Sequence, residues 1–226
     1  MSVSSALMII GHYAVAFAAS RATPRLPLWQ SMIAVVWLDI LHSSMVIAGI
    51  EKAIVVPGIT AVVPLDLAFY PYSHSLVASL GWSLLGALLV MRQGRAAALL
   101  MAACVFSHFV CDLIAHRPDL PLLLDGGEPK FGFGMWHSMW LTFTVENVLL
   151  FGTAWLYLRD GANRTRAERI GLPILCIAGS LMFFTFPFTT FPPDIRATEA
   201  VALVVYAVIA VLGWQFARSR VTASTH

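Results

Sequence analysis

Apolar residues run along this chain in long blocks separated by short polar stretches. Seven blocks approach the roughly 20 residues that a helix needs to cross a ~30 Å hydrocarbon layer. They lie at about 3–20, 27–50, 73–91, 96–115, 137–158, 169–191 and 196–217. The pattern predicts an all-α, polytopic helical membrane protein with about seven transmembrane helices. No low-complexity linker or internal repeat divides it, so residues 1–226 read as one integral membrane domain. The first block ends near Ala16-Phe17-Ala18, which resembles a leader cleavage site, but no Lys or Arg precedes it. It therefore reads as helix one rather than as an export signal.

Composition agrees: 59% of residues are hydrophobic, 12% are charged, and mean hydropathy is +0.80. Charge placement then predicts an orientation. Arg21, Arg25, Arg92, Arg95, Arg159, Arg164, Arg166, Arg169, Arg218 and Arg220, ten of the fourteen basic residues, fall on one side. Cytoplasmic loops retain positive charge, so the N-terminus is expected outside and the C-terminus inside, in a bacterial inner membrane. A net charge of +2 with no basic stripe excludes nucleic acid as a partner. Cys104, Cys111 and Cys176 fall within predicted helices and read as buried small hydrophobes.

Two outer connections are too long for turns. Residues 51–72 are broken by Pro57, Gly58, Pro64 and Pro71, which favours an interfacial or re-entrant segment over a crossing helix. Residues 116–136 combine prolines, Gly126-Gly127 and aromatic side chains, and read as a structured loop or a cap over a site. The blocks at 169–217 carry few ionisable groups besides Glu199, so they read as packing helices, with Pro187 kinking or ending the sixth.

Ionisable side chains within a bilayer are costly unless paired, and their depth is therefore informative. At 1.5 Å per residue, His12, Asp39, His42, His108 and Glu146 fall about 12–17 Å below the outer helix ends. His74, Asp112, His116 and His137, with the loop acids Asp66 and Asp119, lie nearer the surface, giving a two-layer arrangement confined to the outer half. His108 and Asp112 form a His-x-x-x-Asp pair on one helical face, the spacing that lets an imidazole and a carboxylate share a divalent metal. His116 continues the i, i+4 series but is rotated by ~80°, toward a second metal or a phosphate. Against this stand ordinary readings: a packing histidine at 12, an interfacial cap at 74, and solvated charge at 66, 119 and 137. His42 reads as support for Asp39.

The order of GHYA, LDIL, PYSHS and SHFVCD resembles the YdjM-like membrane-bound metal-dependent hydrolases, a grouping distantly similar to zinc-dependent phospholipase C. The likeness covers roughly residues 8–120, and HRPDLP with the following Gly-rich loop and GMW resembles bacterial multi-pass membrane proteins to about residue 158. It implies His12, Asp39, His74, His108 and Asp112 as metal ligands. The chain departs from that pattern where Leu38-Asp39-Ile40-Leu41 replaces a Pro-Asp-x-Asp cluster and Tyr70-Pro71-Tyr72-Ser73-His74-Ser75 replaces His-Arg-x-x-Thr-His-Ser. One acid and one histidine are missing, which leaves fewer metals, substitution by Asp66 and His116, or an inactive site.

The expected activity is metal-dependent hydrolysis of an amphiphilic ester or phosphoester, a membrane lipid being the natural partner, with zinc as cofactor and manganese or iron as alternatives. Asp112 or Glu146 would act as base and His116 as acid. The competing class is non-catalytic: a metal or proton transporter, a haem protein with His12 and His108 as axial ligands, or a subunit of a membrane complex or homo-oligomer.

Overall fold

The computed structural model describes residues 10–159, 164–190, 192 and 194–223, with side chains to residue 216. Residues 3–9 of the expected first span lie outside the described residues, as do the side chains of Arg218 and Arg220. The elements in order are α1 His12–Ala22, α2 Leu28–Val35, α3 Trp37–Ile47, β1 Lys52–Val55, β2 Leu65–Phe69, α4 Pro71–His74, α5 Leu76–Leu89, α6 Arg95–Ala115, β3 Leu120–Pro121, β4 Lys130–Phe131, α7 Met139–Arg159, α8 Arg166–Thr185 and α9 Ile195–Ala223.

The fold is helical with almost no sheet, and four helical segments are long and apolar enough to cross a membrane: 95–115, 139–159, 166–188 and 195–216. The pair α2 and α3 makes a fifth if its 52° bend is counted within one span. Seven spans are not supported. Within the described residues α1 has 11 residues and α5 has 14, or about 16 and 21 Å of rise against a ~30 Å layer. The block expected at 73–91 is shortened by its polar start. Ser75 leaves the helical conformation and caps α5, accepting from the Ala78 amide at 3.1 Å.

The break between α2 and α3 contains neither proline nor glycine. It falls at Val36, with φ −116° and ψ 15°, and there the His108 side chain inserts, its Nδ1 lying 2.7 Å from the Val35 carbonyl. A side chain entering the helical ladder is a recognised cause of a kink. In the last spans, α8 begins with a reciprocal Thr165–Glu168 capping box and gives way at Phe186–Phe188 to a 3-10 turn containing Pro187, as the sequence predicts.

The two long connections fold onto each other. Residues 51–72 form no crossing helix. They form the β1–β2 antiparallel hairpin, paired Lys52 with Phe69 and Val55 with Leu65, followed by the single turn of α4. Residues 116–136 form the β3–β4 pair, and the Ala61 amide donates to the Trp136 carbonyl at 3.0 Å. Gly132 lies so close to the Arg117 carbonyl that any Cβ would collide with it. This close approach lets the Gly134 amide reach the His116 carbonyl at 2.6 Å, closing the loop over the end of α6. Outward side chains on the spanning helices are apolar, among them Leu99, Val148, Leu181 and Val204, the surface that a hydrocarbon solvent requires.

Candidate metal centre

The cluster is assembled by α1, α3, α4 and α6, which bring His12, Asp39, His74, and His108 with Asp112 together. The two layers expected from helical depth merge, because the upper and lower side chains converge. Five separations among His74 Nε2, His108 Nε2, Asp39 Oδ1 and Asp112 Oδ2 range from 3.2 to 3.6 Å. A tetrahedral ion with bonds of about 2.0–2.1 Å holds its ligand atoms roughly 3.3–3.4 Å apart. Asp39, His74 and His108 form one group able to hold a metal, and His12, His108 and Asp112 a second.

Local hydrogen bonds decide which nitrogens face inward. The Val35 carbonyl can only accept, so His108 Nδ1 carries the proton and its Nε2 presents a lone pair to the cluster. Ser73 donates to Glu51 Oε2 at 2.6 Å and therefore accepts from His74 Nδ1 at 2.7 Å. This again leaves Nε2 facing inward. Two such lone pairs 3.2 Å apart repel unless a cation lies between them.

The fit to a cation also rests on orphaned atoms. Both nitrogens of His12 and both carboxylate oxygens of Asp112 are buried with no hydrogen-bond partner among the described residues. His12, His74, His108 and Asp112 are between 0% and 2% exposed, so water does not substitute for a partner. The two carboxylates, opposite imidazoles in the neutral form, would leave an excess of two negative charges, which one divalent ion neutralises. Asp39 is the exception to burial, its side chain being 24% exposed. The site is therefore approached from Asp39.

Asp112 has a second face. Its Oδ1 lies 3.5 Å from His12 Nε2 and 3.8 Å from His116 Nε2. His116 does not continue the α6 face as its spacing predicts. The helix ends at Ala115 and His116 is extended, with φ −67° and ψ 151°, and Nδ1 reaches Asp119 Oδ1 at 3.1 Å. Its ring rests against Trp136, 4.2 Å between centroids, which makes residues 116–136 a cover over this edge. Glu146 stands beside α1, accepting from the Gly11 amide at 3.4 Å while Oε1 has no partner among the described residues.

Other expected candidates are placed elsewhere. Asp66 is paired with Arg117, away from the donor cluster, while His137 is exposed in a 3-10 turn. The haem reading has no room, since the His12 and His108 ring centroids are 4.1 Å apart, too close for a porphyrin to pass between.

The sequence reading missed two participants. Glu51, at the start of the first long connection, is 3% exposed. It accepts from the Tyr72 and Ser73 amides at 2.9 and 2.8 Å, from Ser73 Oγ, and from His42 Nδ1 at 2.7 Å. Burial works against its charge, but these bonds outweigh it and hold the carboxyl below its ordinary range. Tyr206, on a helix read as mere packing, donates to Asp39 Oδ2 at 3.1 Å. Asp39 alone, costly if unpaired in an apolar block, was the available signal for such a donor.

Compared with family models, curated proteins and solved structures, the chain matches none.

Proposed function

We propose that this chain is a membrane-embedded, metal-dependent hydrolase acting on an amphiphilic ester or phosphoester. The observation that carries this reading is the convergence of His74 Nε2, His108 Nε2, Asp39 Oδ1 and Asp112 Oδ2 at 3.2–3.6 Å. The donor set of imidazoles and carboxylates suits zinc, with manganese or iron as alternatives. A divalent ion there supplies Lewis acidity to water and to the ester oxygen.

The remaining roles belong to the chain's own groups. Asp112 is committed as a ligand through Oδ2, so Glu146 is the better base, its Oε1 having no competing partner among the described residues. His116, oriented by Asp119 and facing Asp112, is placed to protonate a leaving group. The YdjM-like resemblance of the site-bearing segments agrees with this assignment. By the distribution of arginine the site lies toward the outer face, with the N-terminus outside, in a bacterial inner membrane.

The alternative is non-catalytic: a proton, shared among the same histidines and aspartates, holds the cluster together in a transporter or in a subunit of a larger complex. Elemental analysis of purified protein separates the two. About one divalent ion per chain, lost in His108→Ala, is expected; wild-type protein that stays metal-free after incubation with zinc, manganese or iron would sink the hydrolase reading.

A further inference from the structure

Beside the donor cluster, α1, α2, α7, α8 and α9 enclose an apolar cleft of about 200 Å³ bounded by Tyr13, Phe17, Met32, Leu150, Met182 and Ile209. Three of its five walls are helices long and apolar enough to cross a membrane, a lining that suits a hydrocarbon occupant. A peptide is a poor occupant, because its backbone donors and acceptors would find no partners in such a lining.

Tyr13 is the one hydroxyl-bearing side chain among the described lining residues. Tyr13 lines the cleft and is 6% exposed, and its hydroxyl is buried without a hydrogen-bond partner among the described residues. Buried hydroxyls are rarely left so, and an orphan calls for a missing acceptor. Tyr13 follows His12 in α1 and lies within electrostatic reach of Asp39. On the opposite wall, Val205 and Ile209 flank Tyr206, which bonds Asp39 directly. The cleft and the donor cluster therefore share a partition made of these two tyrosines.

We propose that the cleft holds one fatty acyl chain of a membrane lipid, with the Tyr13 hydroxyl donating to the ester oxygen at the head of that chain. This deepens the hydrolase reading, on which the placement of the ester beside the metal ligands rests. Chain binding itself does not depend on that reading, because the cleft is built from other side chains.

The test uses the purified full chain in nanodiscs with phosphatidylcholine carrying a photoactivatable diazirine in one acyl chain. Labelling is expected at cleft residues such as Met182 and Ile209, and excess unlabelled lipid should compete. Gly179 lines the cleft, and a Cβ there would meet only Ile10 Cγ2, at an ordinary 3.5 Å. Gly179→Leu therefore fills the space and should reduce cleft labelling at least tenfold. Labelling spread over outward residues such as Leu181 and Val204, unchanged in Gly179→Leu, overturns the proposal. A second measurement stands if that variant does not fold: wild type should bind the diacyl ester lipid several-fold better than its diether analogue, and Tyr13→Phe should erase the difference. Equal binding of ester and ether lipid by wild type overturns the role of Tyr13. The same labelling in His108→Ala keeps the two ideas apart, since cleft labelling in a metal-free, inactive protein supports the chain site while the hydrolase reading fails.

Discussion

The donor cluster and the rim just outside it are built from the same residue types, and they differ in how completely their buried carboxylates are satisfied. On the rim, Glu51 receives hydrogen bonds on both oxygens. Asp119 likewise takes Tyr70, His116 and Arg117. In the cluster, Asp112 has no hydrogen-bond partner among the described residues although it is 1% exposed. A buried carboxylate left this bare is costly in a purely structural role. The comparison teaches that the rim is the scaffold and the cluster is the binding element, joined through Ser73 and His74.

The sharpest way to break this distinction is to remove a member of the cluster. His108→Ala deletes one donor and also the side chain seated on the Val35 carbonyl. Its zinc affinity should fall by more than the roughly 10–100-fold typical of residues that only orient a ligand, as read by competition with a chromophoric chelator. An unchanged affinity would mean that the convergence is structural.

Next in size is the rim. Glu51→Gln and Ser73→Ala disturb the chain that fixes the His74 tautomer, without touching any proposed ligand atom. Each should weaken zinc binding by about 10–100-fold, with stoichiometry at saturation unchanged. A loss as severe as that of His108→Ala would erase the distinction between scaffold and binding element.

Acid titration offers a smaller effect with a defined direction. The Glu51 carboxyl is held below its ordinary value of 4.5 in the folded chain. Its contribution to stability is therefore complete above that value and is lost as the pH falls through the lower folded pKa. Melting temperature in detergent, followed from pH 6 to pH 3 in the presence of chelator, should drop less steeply in Glu51→Gln than in wild type. Parallel curves would remove Glu51 from the load on the fold.

Much of the cluster was legible in the sequence: charge inside an apolar block is expensive, so His12, Asp39 and His108 stood out by depth, and Asp112 by its i, i+4 spacing from His108. What escaped was set by tertiary structure. Glu51 lies in a segment whose prolines announce a break but not the β1–β2 hairpin that turns its carboxyl inward. The span count failed at α1 and α5, which are too short within the described residues to cross, and the bend in the second block was equally hidden. A hydropathy window passes over Val36, because a kink made by an imidazole from another helix leaves no proline or glycine behind. His116 was placed on a helix face by its spacing, but α6 ends one residue earlier.

Tyr206 marks the boundary between the two regions and gives the smallest predicted effect. Its hydroxyl holds Asp39 Oδ2, leaving Oδ1 turned toward His74 and His108. Tyr206→Phe removes one hydrogen bond to a carboxylate, worth about 1.5–3 kcal/mol when fully counted. Asp39 is part-exposed, so water can take over much of that role. Zinc affinity should fall by less than about tenfold, below the range for orienting residues, while the melting temperature of the metal-free protein shifts little. If Tyr206→Phe instead matched Glu51→Gln, α9 would belong to the scaffold of the site as fully as the β1–β2 hairpin. Asp39 would then depend on its tyrosine as His74 depends on Ser73.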